Sequence, residues 1–227
     1  METTMYDTLL QLPLFQGICQ SDFTNIIGKV KFHFSRHKAG EKIVSKGDNC
    51  TNLIFLLKGE LMSEATNKEN SYTYCELYNA PNVIEPYSLF GMNTQYMASY
   101  VTQTDANLVT ISKNFVMSEL NKYDIFRLNY LNIISNRSQV LYDRLWNLTS
   151  EDTDAKIINF LISHSEKLNG QKILKIKMDD FAKILGDTRL TISKALNEMQ
   201  EKELVVLHRK EIEIPELENL VSYKKSV

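Results

Sequence analysis

The sequence has few cysteines and no long run of apolar residues. Cys19, Cys50 and Cys75 are odd in number, far apart and in no paired spacing, which argues against a disulfide framework and a four-cysteine cluster. No apolar run approaches the roughly 18 to 20 residues that span a bilayer, and residues 1–14 lack the positive start of a secretion signal. We therefore expect a soluble, cytoplasmic protein with reduced, partly buried thiols and no membrane partner.

Patterns that mark catalysis are also missing from the sequence. It contains no glycine-rich phosphate loop, no Ser-His-Asp set in a recognisable context and no cluster of metal ligands, so we predict neither an enzyme nor a metal site. The net charge is −2, and residues 150–227 carry 13 Lys and Arg against 14 Asp and Glu. Binding to nucleic acid would therefore have to rest on a local basic surface.

Residues 178–199 have the pattern of two short helices joined by a tight turn. Gly186 can take a left-handed backbone at the turn, and Thr188 can cap the second helix. Apolar residues recur at helical spacing in the first helix (Phe181, Ile184, Leu185) and on one side of the second (Ile192, Ala195, Leu196, Met199). The other side of the second helix faces outward and carries Arg189, Leu190, Ser193, Lys194 and Asn197.

This arrangement resembles the DNA-binding helix-turn-helix, in which a small residue, a turn glycine and buried aliphatic residues recur. Ala182, Gly186, Ile192 and Ala195 fill those places. Downstream, residues 204–207 and 212–214 have the pattern of a two-stranded hairpin with a basic tip at 208–211, which predicts the wing of a winged helix.

Residues 32–106 have the pattern of short strands separated by turns, which predicts an antiparallel roll or barrel. The segments GEKIVSKGD at 40–48 and LIFLLKGEL at 53–61 resemble the start of the cyclic-nucleotide-binding β-roll.

Residues 124–148 contain no proline or glycine and predict one long helix. Apolar residues and one serine recur every three or four positions as a heptad seam: Leu131, Ile134, Ser138, Leu141, Leu145 and Leu148. The seam predicts a parallel coiled coil between two subunits, or else a helix lying along its own roll. The polar residues 149–154 predict a hinge.

The order of these parts resembles the family of the cyclic-AMP receptor protein and the fumarate-nitrate regulator (Crp-Fnr). The resemblance implies an α+β fold with an effector-sensing β-roll and flanking helices (1–122), a dimerisation helix (123–149) and a winged helix-turn-helix DNA-binding domain (150–227). It also implies a homodimeric transcription regulator that binds a double-stranded DNA operator, with RNA polymerase as a partner and an effector held in the roll. The alternative is a cyclic-nucleotide, haem or redox sensor module whose output is not DNA binding.

The effector site departs from the family pattern. Glu85 stands where the ribose-binding carboxylate would lie, but Met97 replaces the arginine that binds the cyclic phosphate, and Pro86 removes an amide. The remaining residues of the candidate pocket are Tyr87, Ser99, Leu141 and Tyr142. We therefore do not expect cyclic AMP to be the effector. Either the roll has lost ligand binding or it binds another, unidentified small molecule.

Two other sensing chemistries of the family need specific ligands. An iron-sulfur cluster needs several cysteines near the start, where only Cys19 is found, so we do not expect one. Haem would need a ligand from Cys75, His33 or His37, and we expect ordinary histidines and buried thiols there instead. The cofactor is therefore unknown.

On DNA, we expect the Thr188 helix to lie in the major groove. Arg189 would contact guanine. Leu190 stands where family members that read the best-known half-site carry glutamate, and it would suit a thymine methyl group. Lys194, Ser193 and Asn197 would contact bases or phosphates, and the wing residues Arg209 and Lys210 would contact the backbone.

Overall fold

The computed structural model describes residues 5–146 and 152–224. The helices are α1 (Met5–Leu10), α2 (Gln20–Lys29), α3 (Lys113–Ser118), α4 (Asp124–Trp146), α5 (Thr153–His164), α6 (Met178–Leu185), α7 (Arg189–Glu201) and α8 (Leu217–Lys224). The strands are β1 (His33–His37), β2 (Lys42–Val44), β3 (Asn52–Lys58), β4 (Glu60–Thr66), β5 (Tyr72–Asn79), β6 (Asn82–Ile84), β7 (Ser99–Thr102), β8 (Ala106–Ser112), β9 (Lys172–Ile176), β10 (Val206–His208) and β11 (Glu211–Ile214).

The chain divides into two compact units. The N-terminal unit comprises Met1–Met62 and Tyr78–Asn136, and the C-terminal unit comprises Ser63–Leu77 and Arg137–Val227. The chain therefore passes from one unit to the other within β4, within β5 and within α4.

The N-terminal unit is the predicted antiparallel roll. Strands β1, β8, β3 and β6 are hydrogen-bonded in that order, with Phe55 opposite Val109, and β2 pairs with β7. The ring of Phe15 lies 5.5–5.7 Å from the rings of Phe23, Phe55 and Phe126. Helices α2 and α4 are thus fixed to the sheet by an aromatic core, in which edge-on and tilted rings are favourable.

The turn between β3 and β4 requires a glycine. Gly59 has a φ of +92°, and a Cβ atom there would lie 2.6 Å from the carbonyl oxygen of Asp105. A larger residue would meet both backbone strain and a backbone clash. This close approach explains why a glycine follows Lys58 in the segment at 53–61.

The C-terminal unit is the predicted winged helix. Strands β10, β11, β9 and β5 pair in that order, and β4 follows β5. The helices pack around one apolar core, whose buried members include Tyr74, Ile158, Leu161, Leu174, Phe181, Ile192, Leu196, Met199, Ile212 and Leu217. Asp152 caps α5 by accepting a hydrogen bond from the Ala155 amide at 2.9 Å.

One part of the structure differs from the predicted division at 1–122, 123–149 and 150–227. The tip of the β4–β5 hairpin, Ser63–Leu77, packs with the C-terminal unit although its sequence lies inside the predicted roll. Residues 149–151 of the predicted hinge at 149–154 lie outside the described residues. Among the helices that are described, none is both long and apolar enough to cross a membrane.

Candidate nucleic-acid interface

Helices α6 and α7 form the predicted helix-turn-helix. Gly186 ends α6 in the left-handed conformation, with φ 65° and ψ 38°, which is the usual geometry after a helix. The Asp187 amide donates to the Ala182 carbonyl at 3.0 Å and closes the turn. Thr188 then caps α7, because its hydroxyl accepts from the Thr191 amide at 3.1 Å.

The two sides of α7 differ in exposure as the sequence predicts. Ile192, Ala195, Leu196 and Met199 are buried. On the outer side Ser193 is half-buried, and Thr188, Lys194 and Asn197 are exposed. Arg189 and Leu190 at the start of the helix are also exposed, and Leu190 is 81% exposed although it is apolar. A leucine held in solvent is a candidate for contact with another molecule.

The wing lies at the other side of this surface. Strands β10 and β11 pair antiparallel, with His208 opposite Glu211, and the exposed Arg209 and Lys210 form the tip. Lys210 has a φ of 63°, which a tight turn demands. Between the wing and α7 there is a depression of about 340 Å³, lined by Asp179, Arg189 and the wing tip among others.

The cations of this surface are paired only weakly. The Arg189 guanidinium lies 3.4 Å from the Asp179 carboxylate, and the Lys194 ammonium lies 3.9 Å from the Glu198 carboxylate. Both pairs are exposed, and such pairs contribute little to stability. Their cations can therefore exchange a carboxylate for a phosphate or a base at low cost. The pairing of Asp179 with Arg189 has no signal in the sequence beyond the place of Asp179 in the first turn of α6.

Glu85, the central candidate residue of the effector site, is buried and hydrogen-bonded to neighbouring groups of the chain. Its carboxylate accepts from the Ser88 hydroxyl at 2.7 Å and from the amides of Met97 and Ala98 at 2.8 and 2.9 Å. The Tyr130 hydroxyl donates to the Pro86 carbonyl, and burial raises the pKa of Tyr130. Both Glu85 oxygens are thus already engaged by the chain itself.

The other predicted pocket residues are less enclosed. Met97 is 57% exposed, Tyr87 is half-buried, and the Ser99 hydroxyl accepts from the Lys46 amide at 3.0 Å. Leu141 and Tyr142 lie on the part of α4 that belongs to the C-terminal unit, where both are exposed.

The heptad seam on α4 is exposed along most of its length. The start of α4 is anchored in the roll, because Phe126 is buried. After that point Leu131 is 61% and Leu145 72% exposed, Ser138 and Leu141 are also exposed, and Ile134 is half-buried. Leu148 lies outside the described residues. An exposed apolar stripe of this kind is unusual on an isolated protein.

The described residues contain no group of three or more His, Cys, Asp or Glu that could hold a metal ion. His33 is exposed, and His37 lies 3.0 Å from both Glu41 and Ser35. Cys19 is exposed, while Cys50 and Cys75 are buried, and burial raises the pKa of Cys75 to about 11.

The C-terminal residues match a known domain family. Residues 155–223 match the Crp-like helix-turn-helix domain. The Global nitrogen regulator of Synechococcus elongatus is 21% identical over 194 residues, which cover 82% of this chain and 87% of that protein.

Two solved structures have a similar fold. The catabolite activator protein of Thermus thermophilus is 18% identical, with a TM-score of 0.53 over 94% of this chain and 99% of its own. The c-di-GMP responsive global regulator CLP of Xanthomonas campestris is 15% identical, with a TM-score of 0.52 over 87% of this chain and 99% of its own. At these identities the likeness shows the fold, namely a β-roll followed by a winged helix.

Proposed function

We propose, on the premise that the chain belongs to the Crp-Fnr family of DNA-binding transcription regulators, that two copies bind one operator and that cyclic AMP is not their effector. The observation that carries the proposal is the capped helix α7, whose apolar side is buried while Arg189, Leu190 and Lys194 are exposed. A helix anchored in this way can enter a major groove without changing its own core.

The exposed residues of α7 suggest what the protein reads. Arg189, at the start of the helix, has the fork of donors that suits the O6 and N7 acceptors of guanine. Leu190 has no hydrogen-bonding group and suits a thymine methyl group. Lys194, Ser193 and Asn197 would contact bases or phosphates, and Thr188, Arg209 and Lys210 would contact the backbone.

Dimerisation is proposed from the exposed stripe on α4. Leu131, Leu141 and Leu145 recur at heptad spacing and are 45–72% exposed, so a second copy of the helix would remove them from water. Two related recognition helices would then face half-sites about 34 Å apart, which predicts an inverted-repeat operator.

Independence from cyclic AMP is proposed from the contacts of Glu85. Its carboxylate already accepts three hydrogen bonds from Ser88, Met97 and Ala98, which leaves a ribose hydroxyl about one of the roughly four acceptor sites of a carboxylate. Met97 offers no positive charge to a phosphate, and losing such a charge-assisted contact weakens binding by roughly a hundredfold or more. Titration calorimetry with cyclic AMP should therefore give no binding heat, and micromolar binding would refute this part of the proposal.

The DNA contacts are tested by a gel-shift titration against operators selected from random DNA. Arg189→Ala should weaken binding by about 1–3 kcal/mol for each half-site and relax the base preference at one position of each half-site. Lys29→Ala, which removes an exposed cation from α2, is the matched control and should bind like the wild type. Unchanged affinity and preference in Arg189→Ala would refute the assignment of α7.

The dimer is tested by sedimentation of Leu131→Asp and of Leu145→Asp. Each variant should shift the protein toward monomer, because a charge would be buried at the seam. Asn136→Asp, on the opposite side of the same helix, should leave the dimer unchanged. RNA polymerase as a partner, a cytoplasmic location and an unidentified small effector are proposed with the family.

A further inference from the structure

The hairpin Ser63–Leu77 supplies a strand to the sheet of the winged helix. Strand β5 pairs antiparallel with β9, from Tyr72 opposite Ile176 to Glu76 opposite Lys172, and the Leu77 amide donates to the Gln171 carbonyl at 3.2 Å. The edge of β9 that faces away from the wing is therefore covered by residues from nearly a hundred positions earlier in the chain.

The side chains of β5 complete the core of the C-terminal unit. Tyr74 is 3% exposed and lies in the same apolar cluster as Phe181 and Ile192, and its hydroxyl bonds to the hydroxyl of Ser165. The Tyr72 hydroxyl lies 2.7 Å from Nε2 of His164. The hairpin thus contributes packing as well as backbone pairing.

A buried ion pair fixes the end of the strand. The Lys172 ammonium and the Glu76 carboxylate are 3.0 Å apart, with side-chain exposures of 0% and 6%. The same carboxylate accepts from the amides of Glu166 and Lys167 at 2.8 and 3.0 Å. Both charges are compensated only while the hairpin stays in place, so leaving it would be costly.

The docked hairpin leaves the candidate DNA surface free. On β9 it occupies the edge opposite β11, whereas Arg189, Lys194 and the wing tip remain exposed. Docking and DNA binding therefore use different surfaces and can occur together.

We propose that the docked hairpin is a clamp that holds the winged helix ready for operator binding. The inference rests on the proposed function. Residues Ser63–Leu77 belong to the same compact unit as the winged helix, so their pairing with β9 restrains the internal freedom of that unit. A unit restrained beforehand loses less freedom on binding DNA, which favours affinity.

A disulfide lock tests whether the docked state binds DNA. Cys75 lies directly opposite Ile173, where facing Cβ atoms are close to disulfide range, so Ile173→Cys in a Cys19→Ser background should cross-link on oxidation. The operator Kd of the oxidised protein should lie within about twofold of that of the reduced protein, because the fraction of molecules with a docked hairpin, which bind DNA, does not change. Loss of binding on oxidation would overturn the proposal.

A proline tests the opposite state. Because the Leu77 amide points to β9 and amides alternate along a strand, Thr73→Pro removes a backbone hydrogen bond to β9 and no backbone bond to β4. It also removes the contact between the hydroxyls of Thr73 and Thr66 at 2.9 Å, so Thr73→Val, which loses that contact alone, serves as a further control. We expect faster amide exchange in β9 and an operator Kd at least about tenfold higher, as when only about a tenth of the molecules are competent. The matched control is Glu64→Gln, which removes only an exposed ion pair to Lys175. It should change neither the amide exchange in β9 nor the operator Kd.

The outcomes separate this inference from the proposed function. If neither the wild type nor any variant binds DNA, the proposed function fails. If the wild type binds and Thr73→Pro exposes β9 with an unchanged or lower Kd, the clamp is refuted, and a lower Kd would make the hairpin an inhibitory lock. Fast exchange of β9 in the wild type would also refute it. If Thr73→Pro does not fold, the oxidised and reduced forms of Ile173→Cys decide alone.

Discussion

Replacing Glu76 by alanine should destabilise the C-terminal unit strongly. The substitution leaves the Lys172 ammonium, whose side chain is 0% exposed, without its carboxylate. It also takes the acceptor from the amides of Glu166 and Lys167. Lys172 keeps the carbonyls of Asn169 and Gly170, at 2.7 and 3.2 Å, but these carry no charge.

The expected size of the effect follows from these contacts. Removing one partner of a buried ion pair costs about 3–5 kcal/mol. We therefore expect Glu76→Ala to lower the free energy of unfolding by about 4 kcal/mol, a large share of the roughly 5–15 kcal/mol of a typical domain. Adding Lys172→Met should restore much of the loss, because the uncompensated charge is then gone.

Urea denaturation followed by circular dichroism measures these differences, and amide exchange in β9 shows where they act. Glu64→Ala is the matched control, because its ion pair with Lys175 also joins the hairpin to β9 but is exposed, so it should cost less than about 1 kcal/mol. A Glu76→Ala loss no larger than the control, or a double variant no more stable than the single one, would refute the reasoning.

Three further predictions concern single residues. Thr188→Ala should cost about 1 kcal/mol in urea denaturation through the lost cap, and Thr188→Ser should cost less. Burial lowers the pKa of His164 below its ordinary value of 6.5. The neutral form of His164 therefore contributes its full share of the free energy of unfolding above pH 6.5, and this share is lost as the pH falls and the ring is protonated. Between about pH 8 and pH 5 the melting temperature of His164→Phe should therefore fall by less than that of the wild type. An equal fall in both proteins would contradict this. Gly59→Ala should lower the melting temperature because of the 2.6 Å clash, whereas Gly28→Ala, with nothing within 4 Å, should not.

The helix-turn-helix was predictable because its signals are local. Gly186 and Thr188 each act on backbone groups within a few residues, and the spacing of Ile192 and Met199 fixes the buried side of α7. On α4 the heptad spacing predicts the seam, and its members Leu131, Ser138, Leu141 and Leu145 are exposed, whereas Ile134 is half-buried.

The docking of the hairpin was not predictable from the sequence. Tyr72, Tyr74 and Glu76 alternate on one side of a strand, but nothing local indicates that their partners are His164, Ser165 and Lys172. Pairing between strands that are a hundred residues apart is decided by packing of the whole unit. The burial of Lys172, which shows that this charge needs a partner, is visible only in the structure.

The state of Glu85 was also beyond the sequence. Two of the donors to its carboxylate are the backbone amides of Met97 and Ala98. Every residue except proline has such an amide, so the sequence does not single these donors out. The residue types alone therefore could not show that the Glu85 carboxylate already accepts hydrogen bonds from the chain itself.

The pairing of β5 with β9 has a consequence for the exchange of DNA-binding modules between regulators. A graft that starts near residue 150 would carry Lys172 and Leu174 but leave Tyr74 and Glu76 behind. The transplanted module would then expose an unprotected sheet edge, which invites aggregation. A soluble chimera should carry both segments, 63–77 and 137–227, from the same parent.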